Sequence, residues 1–284
     1  GNGGKQVIFN AIMATVSAGD EIIIPAPYWV SYLDISQLAD GTPVVVACRS
    51  EDGFKLTPAA LEAAITPRTK WLLLNSPCNP TGAVYSRAEL KALAAVLLRH
   101  PHMWVIADDI YEHLLFDGVE FATLAQVEPA LYDRTLTVNG VSKAYAMTGW
   151  RIGYCGGPGE LIRNMTKVQS QTTTNASSIS QAAAIEALNG PQDFVPQRAR
   201  AFQVRRDRVL ELLREAPGID CFRPQGAFYI FANCGGMLGK RTPQGAALES
   251  ERDAVDYLLE AGGVAVVVGS AYGLSPYFRM SIAA

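Results

Sequence analysis

Asn139-Gly140-Val141-Ser142-Lys143-Ala144-Tyr145-Ala146-Met147-Thr148-Gly149-Trp150-Arg151-Ile152-Gly153-Tyr154 is the stretch on which the reading of this chain turns. The run Thr135-Leu136-Thr137-Val138 leads into it and Trp150 to Cys155 leads out, both with strand-like composition. Between them one lysine, Lys143, sits in a loop of small and mildly polar residues with no charged residue close in sequence. An amine held against apolar surroundings loses proton affinity and becomes a usable nucleophile. Arg151 follows by 151 − 143 = 8 positions, at the head of the second run. A nucleophilic amine with a fixed cation nearby suits a carbonyl cofactor that carries a phosphate.

Outward from this loop, apolar runs alternate with helical patterns. Toward the N-terminus, strands are expected at Glu21–Ile24, Val44–Ala47, Lys70–Leu74 and Met103–Ala107. Helices are expected at Lys5 to about Ser17, Ser31–Ala39, from Thr57-Pro58 to about Ile65, and from the capping box Ser86–Glu89 to about Arg99. The strand runs are continuously apolar rather than alternating, as in a mostly parallel sheet covered on both faces by helices. Ligands of such sheets bind beyond the carboxyl ends of the strands. Three strands deliver polar residues there: Asn79, Asp108 and Lys143. Gly3-Gly4, before the first helix, offers free backbone N–H groups and a helix dipole, a ready anion site. Tyr28 and Trp29 either pack in the core or stack on a flat cofactor.

Beyond Tyr154 helices are expected at about Gly159–Gln171, Ser178–Leu188 and Asp193–Glu215, the last long enough to bridge two domains. A smaller α+β region follows, with strands at Gly226–Phe231, Val264–Val268 and Arg279–Ile282 and a helix at about Arg252–Ala261. The expected division is a large cofactor-binding domain over 1–205 and a small C-terminal domain over 206–284.

A composition 49% hydrophobic and 18% charged is that of a globular protein with material for a core. The net charge of −3 carries no basic footprint for nucleic acid or for an anionic membrane. No apolar run approaches the roughly 18 residues of a membrane helix. Five scattered cysteines without a CxxC pair read as reduced thiols of a cytoplasmic protein. The histidines form no metal set.

At these residues the sequence resembles the fold-type I pyridoxal-phosphate enzymes, specifically class I aminotransferases of the bacterial aspartate aminotransferase kind. The matching pieces run in the family's order across essentially the whole chain. They are Gly3-Gly4-Lys5-Gln6, Pro27-Tyr28-Trp29, Asn79-Pro80-Thr81-Gly82, Asp108-Asp109-Ile110-Tyr111, Ser142-Lys143 with Gly149-Trp150-Arg151-Ile152-Gly153, Gly226-Ala227-Phe228-Tyr229 and Phe278-Arg279-Met280-Ser281. The resemblance implies pyridoxal 5′-phosphate as cofactor and an amino acid and a 2-oxo acid as substrates, with aspartate and glutamate first in line. It implies that Lys143 holds the cofactor covalently and shuttles the substrate proton, and that Asp108 pairs with the ring nitrogen. Asn79 and Tyr111 would bond the phenolic oxygen. Arg151 and the turn Gly3-Gly4-Lys5 would hold the phosphate with Gly140 beside it. Trp29 would stack on the ring, and Arg279 would take the substrate α-carboxylate in a bidentate fork. It also implies a homodimer with a shared active site.

The sequence departs from the family in three ways. The family's N-terminal segment and its C-terminal helix are not in it, as expected of a piece of a longer protein. No arginine lies between Arg163 and Arg198, where animal-type enzymes carry the residue that reads the distal carboxylate. Lys5 is the candidate for that task, with a place on the phosphate side or in solvent as the other reading. Two further functions stay open on this scaffold: a pyridoxal-phosphate lyase or synthase, and an aminotransferase-like sensor domain of a regulator.

Overall fold

Helix caps and apolar runs set the element order. A computed structural model describes residues 1–283. The chain begins with α1 (Gly4–Thr15), β1 (Glu21–Ala26), α2 (Ser31–Leu38) and β2 (Thr42–Ala47). It continues with α3 (Pro58–Ala64), β3 (Thr69–Asn75), α4 (Arg87–Arg99), β4 (Trp104–Asp108) and the short α5 (Leu124–Val127). β5 (Thr135–Gly140) and β6 (Gly153–Gly156) flank the lysine loop, and α6 (Gly159–Thr172), α7 (Ser178–Asn189) and α8 (Phe194–Arg214) come next. Last are β7 (Asp220–Cys221), β8 (Tyr229–Asn233), α9 (Glu251–Gly262), β9 (Val267–Val268) and β10 (Tyr277–Ser281).

The expected caps are in place. Thr57 accepts from the Ala60 N–H ahead of Pro58, and Ser86 and Glu89 form a reciprocal capping box. A second box, Ser250 with Asp253, starts α9 and escaped the reading because its acid is Asp rather than Glu or Gln.

Six strands form one sheet in the order β2-β1-β3-β4-β5-β6. All neighbours are parallel except β5 and β6, which are antiparallel. Ile22, Ile24, Trp71, Leu73, Ile106 and Val138 pack on one face against α1, α2 and α6. Ile23, Leu72, Leu74 and Val105 pack on the other against α3 and α4. Alternate residues thus serve two cores, which is why each run is apolar throughout. Strand order reverses between β1 and β3, and the crevice at that switch point faces the loops that carry the candidate residues.

Three strand expectations are corrected. The run leading out of the lysine loop pairs only from Gly153, because Thr148–Trp150 is a tight turn and Arg151 adopts the left-handed region at φ 53°. Gly226 to Phe228 precede β8 instead of belonging to it: Gly226 bridges Leu115, and the Ala227 N–H donates to Leu114 O. Of Val264–Val268 only Val267 and Val268 find a partner, on β10.

The smaller sheet is antiparallel in the order β7-β8-β10-β9. α8 fastens it to the lysine side of the molecule. The fully buried Arg206 forks onto Asp117, Nη1 to Oδ2 at 2.7 Å and Nη2 to Oδ1 at 2.8 Å, and Nη1 also reaches Pro224 O at 2.8 Å. A buried guanidinium needs this saturation, because leaving it unpaired costs several kcal/mol, about 3–5 when one partner is removed. Two turns earlier Arg198 donates to Ala144 O, next to Lys143, at 2.6 Å. The boundary expected at 205/206 falls inside α8.

Candidate active site

The residues singled out from the sequence converge on one cavity of about 320 Å³ at the carboxyl edge of the large sheet. Its wall includes Gly4, Lys5, Trp29, Asn79, Asp108, Tyr111, Lys143, Arg151 and Arg279. Gly3 and Gly140 lie outside the lining. A Cβ on Gly140 would meet Ile152 O at 2.8 Å, so its missing side chain serves the close approach of β5 and β6. Tyr28 is buried in the core, as one of its two readings had it.

Each strand end contributes a group. Asp108 closes β4 in register with Asn75 of β3. Asn75 Nδ2 donates to Asp108 O at 2.8 Å, and Asn75 Oδ1 accepts from the Asn79 N–H at 2.8 Å, so one amide locks the next loop to β4. Asp108 is buried; burial raises its pKa above the ordinary carboxyl value, while bonds from Tyr32 and the Ile110 N–H and the nearby Lys143 pull it down. Tyr32 Oη donates to Asp108 Oδ2 at 2.5 Å. Asp109 faces away from the cavity, and burial drives its carboxyl far toward the neutral form.

Lys143 is half-buried between aromatic rings, its Nζ 5.6 Å from the Tyr111 centroid and 5.7 Å from that of Phe228. Burial lowers its pKa; Asp108 opposes the shift, and Arg279 and Arg151 add to it. The amine is therefore more often neutral than that of a solvated lysine, as a nucleophile requires. Tyr111 Oη and Tyr229 Oη lie 3.1 Å apart, and burial raises the pKa of both phenols.

At the start of α1 the backbone N–H groups of Gly4 and Lys5 have no partner among the described residues, and no side chain caps the helix. Arg151 lies against this turn, with Nη1 on Thr148 O at 2.8 Å and Nη2 on Asn2 O at 3.3 Å. A Cβ on Gly3 would come within 2.3 Å of Arg151 Nη2, and one on Gly153 within 2.3 Å of the Gly4 nitrogen. Glycine at both positions keeps open a cradle of free N–H groups, a helix dipole and a guanidinium, which suits a phosphate. Across the cavity Arg279 Nη1 donates to Asn79 Oδ1 at 2.9 Å, while its buried Nε has no partner among the described residues. A buried, unsatisfied guanidinium nitrogen is a place for a carboxylate. Lys5 Nζ sits 5.1 Å from the centre of the Trp29 ring, on the same cavity.

Sequence reasoning missed Tyr32, Asn75, Tyr229 and Thr148 on this wall. A buried carboxylate such as Asp108 needs a donor, but no local signal names Tyr32, 76 positions away, as the residue that supplies it.

The cavity brings an amine, a buried carboxylate and an anion cradle together on a mostly parallel sheet, the features of a pyridoxal-phosphate enzyme. The chain belongs to the class I and II aminotransferase family, whose model matches residues 1–284. The family is pyridoxal-phosphate-dependent, and the chain is a transaminase of that kind. It is 60% identical to the aspartate aminotransferase of Rhizobium meliloti strain 1021 over 281 residues, 99% of this chain and 68% of that protein. It is also 60% identical to the aspartate/prephenate aminotransferase of Cereibacter sphaeroides, over all of this chain and 71% of that one. The crystal structure of a Rhizobium meliloti aspartate aminotransferase superposes with a TM-score of 0.97 at 59% identity, covering all of this chain and 71% of the other. The Thermus thermophilus aspartate aminotransferase with maleate gives 0.91 at 43% identity, covering all of this chain and 70% of that one.

Proposed function

We propose that this chain transfers the amino group of L-aspartate to a 2-oxo acid such as 2-oxoglutarate, with pyridoxal phosphate in the cavity around Lys143. The observation that carries the reading is the opposition, across one cavity, of the phosphate cradle at Gly4, Lys5 and Arg151 and the unsatisfied Nε of Arg279, with Lys143 and Asp108 in the same wall. When bound, the cofactor supplies an aldehyde that condenses with amines and a ring that delocalises negative charge. Lys143 would hold the cofactor through its amine and, once free, carry the proton released at the substrate Cα. Asp108, kept in place by Tyr32, sets a negative charge where the ring nitrogen needs one. Asn79 and Tyr111 supply polar groups for the phenolic oxygen, and Trp29 forms a flat wall. Arg279 takes the α-carboxylate. The names of the relatives favour aspartate and admit prephenate as the oxo acid.

Lys5 is the cation for the second carboxylate of a dicarboxylic substrate, because a carboxylate taken out of water unpaired is costly. In a half-reaction, L-aspartate alone should release oxaloacetate in amounts matching the protein, with no ammonia; ammonia would mean lyase chemistry instead. In Lys5→Ala the KM for aspartate and 2-oxoglutarate should rise about tenfold, a loss of about 1.4 kcal/mol, with little change for phenylalanine. A uniform loss across both substrate classes would move Lys5 to the phosphate.

We also read the full-length protein as a cytoplasmic homodimer with the active site at the subunit boundary. No helix among the described residues is long and apolar enough to cross a membrane. Light scattering during turnover checks the assembly, and a fully active monomer would refute it.

A further inference from the structure

Tyr272 lies outside the cavity lining yet touches the residue assigned to the α-carboxylate. It ends the tight turn Gly269–Tyr272 between β9 and β10, and its side chain is 2% exposed. The Arg279 guanidinium carbon lies 4.9 Å from the centre of the Tyr272 ring and 4.3 Å from that of Tyr229. Both are within cation–π range. Among the described residues the Tyr272 hydroxyl has no hydrogen-bond partner, so the ring itself is what the residue offers.

Among the described residues Arg279 has one side-chain hydrogen-bond anchor, from Nη1 to Asn79 Oδ1. One bond at the tip of a long stem leaves the plane of the fork free to swing, and bidentate carboxylate binding depends on that plane. The ring contacts restrict it. The turn that carries Tyr272 is itself held on two sides. The buried Glu251 carboxylate accepts from the Ser270 N–H at 2.8 Å and the Tyr277 N–H at 3.0 Å. The Tyr28 N–H donates to Tyr272 O at 3.0 Å, and the Tyr28 ring fills the space a Cβ on Gly273 would need, 2.5 Å away. Gly273 is in the left-handed region at φ 79°, which also favours glycine there. The ring position is therefore set by the small sheet and by the loop that bears Trp29.

We propose that Tyr272 is a positioning residue, its ring fixing the Arg279 guanidinium in the orientation that presents Nε to the substrate α-carboxylate. The proposal rests on the reading of Arg279 given above. The test uses the full-length holoenzyme and two readouts: KM for L-aspartate, and the dissociation constant of maleate, which has no amino group to transfer, by calorimetry. Tyr272→Leu should raise both about tenfold and leave kcat within about twofold, the scale of a cation–π contact. Tyr272→Phe, which keeps the ring, should bring both back to near the wild-type values. Should the leucine variant not fold, Tyr272→Met is read in the same way. Unchanged constants in the ring-less variant, or a phenylalanine variant as impaired as it, overturn the proposal. Arg279→Ala separates the two claims. If it leaves KM and maleate binding unchanged, the carboxylate reading falls and this proposal with it; if it abolishes maleate binding while Tyr272→Leu does nothing, only this proposal falls.

Discussion

Lys143→Ala is expected to give a folded protein that still takes up pyridoxal phosphate but that borohydride no longer joins to it. Lys143 is half-buried, and the cavity has no second amine as enclosed: Lys5, its other lysine, is exposed at a helix start. The substitution removes both the covalent holder of the cofactor and the carrier of the substrate proton. Loss of a positioned proton carrier alone costs up to about 10⁴ in rate, so transfer should fall at least that far. Folding should survive, because the lysine side chain makes no hydrogen bond or ion pair among the described residues, and its loop is held by Arg198 of α8 on Ala144 O and, within the loop, by Thr148 Oγ1 on Ser142 O. Mass spectrometry of the reduced protein reads the result. A cofactor-sized adduct retained in the variant would transfer the role to another amine.

Asp108→Asn is expected to bind cofactor less tightly, by about ten- to a hundredfold, the worth of one charge-assisted hydrogen bond. The larger effect falls on catalysis. The asparagine oxygen can still accept from Tyr32, so the local architecture persists, but the negative charge is gone. Charge placed to stabilise a developing transition state is worth about 10²–10³ in rate, and release of the Cα proton should slow by that amount. Exchange of Cα deuterium in single-turnover experiments measures the step directly. An unchanged exchange rate would remove Asp108 from its partnership with the ring.

Much of the large sheet could be read in advance because its signals are local. Ile22, Ile23 and Ile24 are apolar in succession since both faces of β1 are covered, and Thr57-Pro58 and Ser86–Glu89 announce helices through groups at most three residues apart. The lysine loop was legible for the same reason: an amine without charged neighbours is a property of a dozen consecutive residues. What stayed hidden depends on contacts distant in sequence. Tyr32 meets Asp108 across 76 positions, and nothing in the sequence around either says that they touch. Tyr229 was visible within a motif, but not that its hydroxyl would meet that of Tyr111. Arg151 delays the start of β6 by taking a backbone conformation that composition alone would assign to glycine or asparagine. The resemblance put Gly140 beside the phosphate; the steric demand on it that the structure shows comes from the Ile152 carbonyl and Gly153 at the head of the neighbouring strand.

The antiparallel pairing of β5 and β6 makes the lysine loop a ruler. In a parallel crossover the chain leaves one edge of the sheet and returns at the other, so added residues can be absorbed along the way. Here Gly140 and Gly153 are register partners, and both ends of the loop are pinned at the same edge. The span between the nucleophile and the phosphate cation is therefore metered by residue count between two fixed posts. One residue inserted between Lys143 and Arg151 has nowhere to go except into the cavity or out of it, and either choice changes the length of molecule that fits between amine and guanidinium. Connections at the opposite edge of the sheet, such as the one from α4 to β4, carry no such gauge and can vary in length without recalibrating the site.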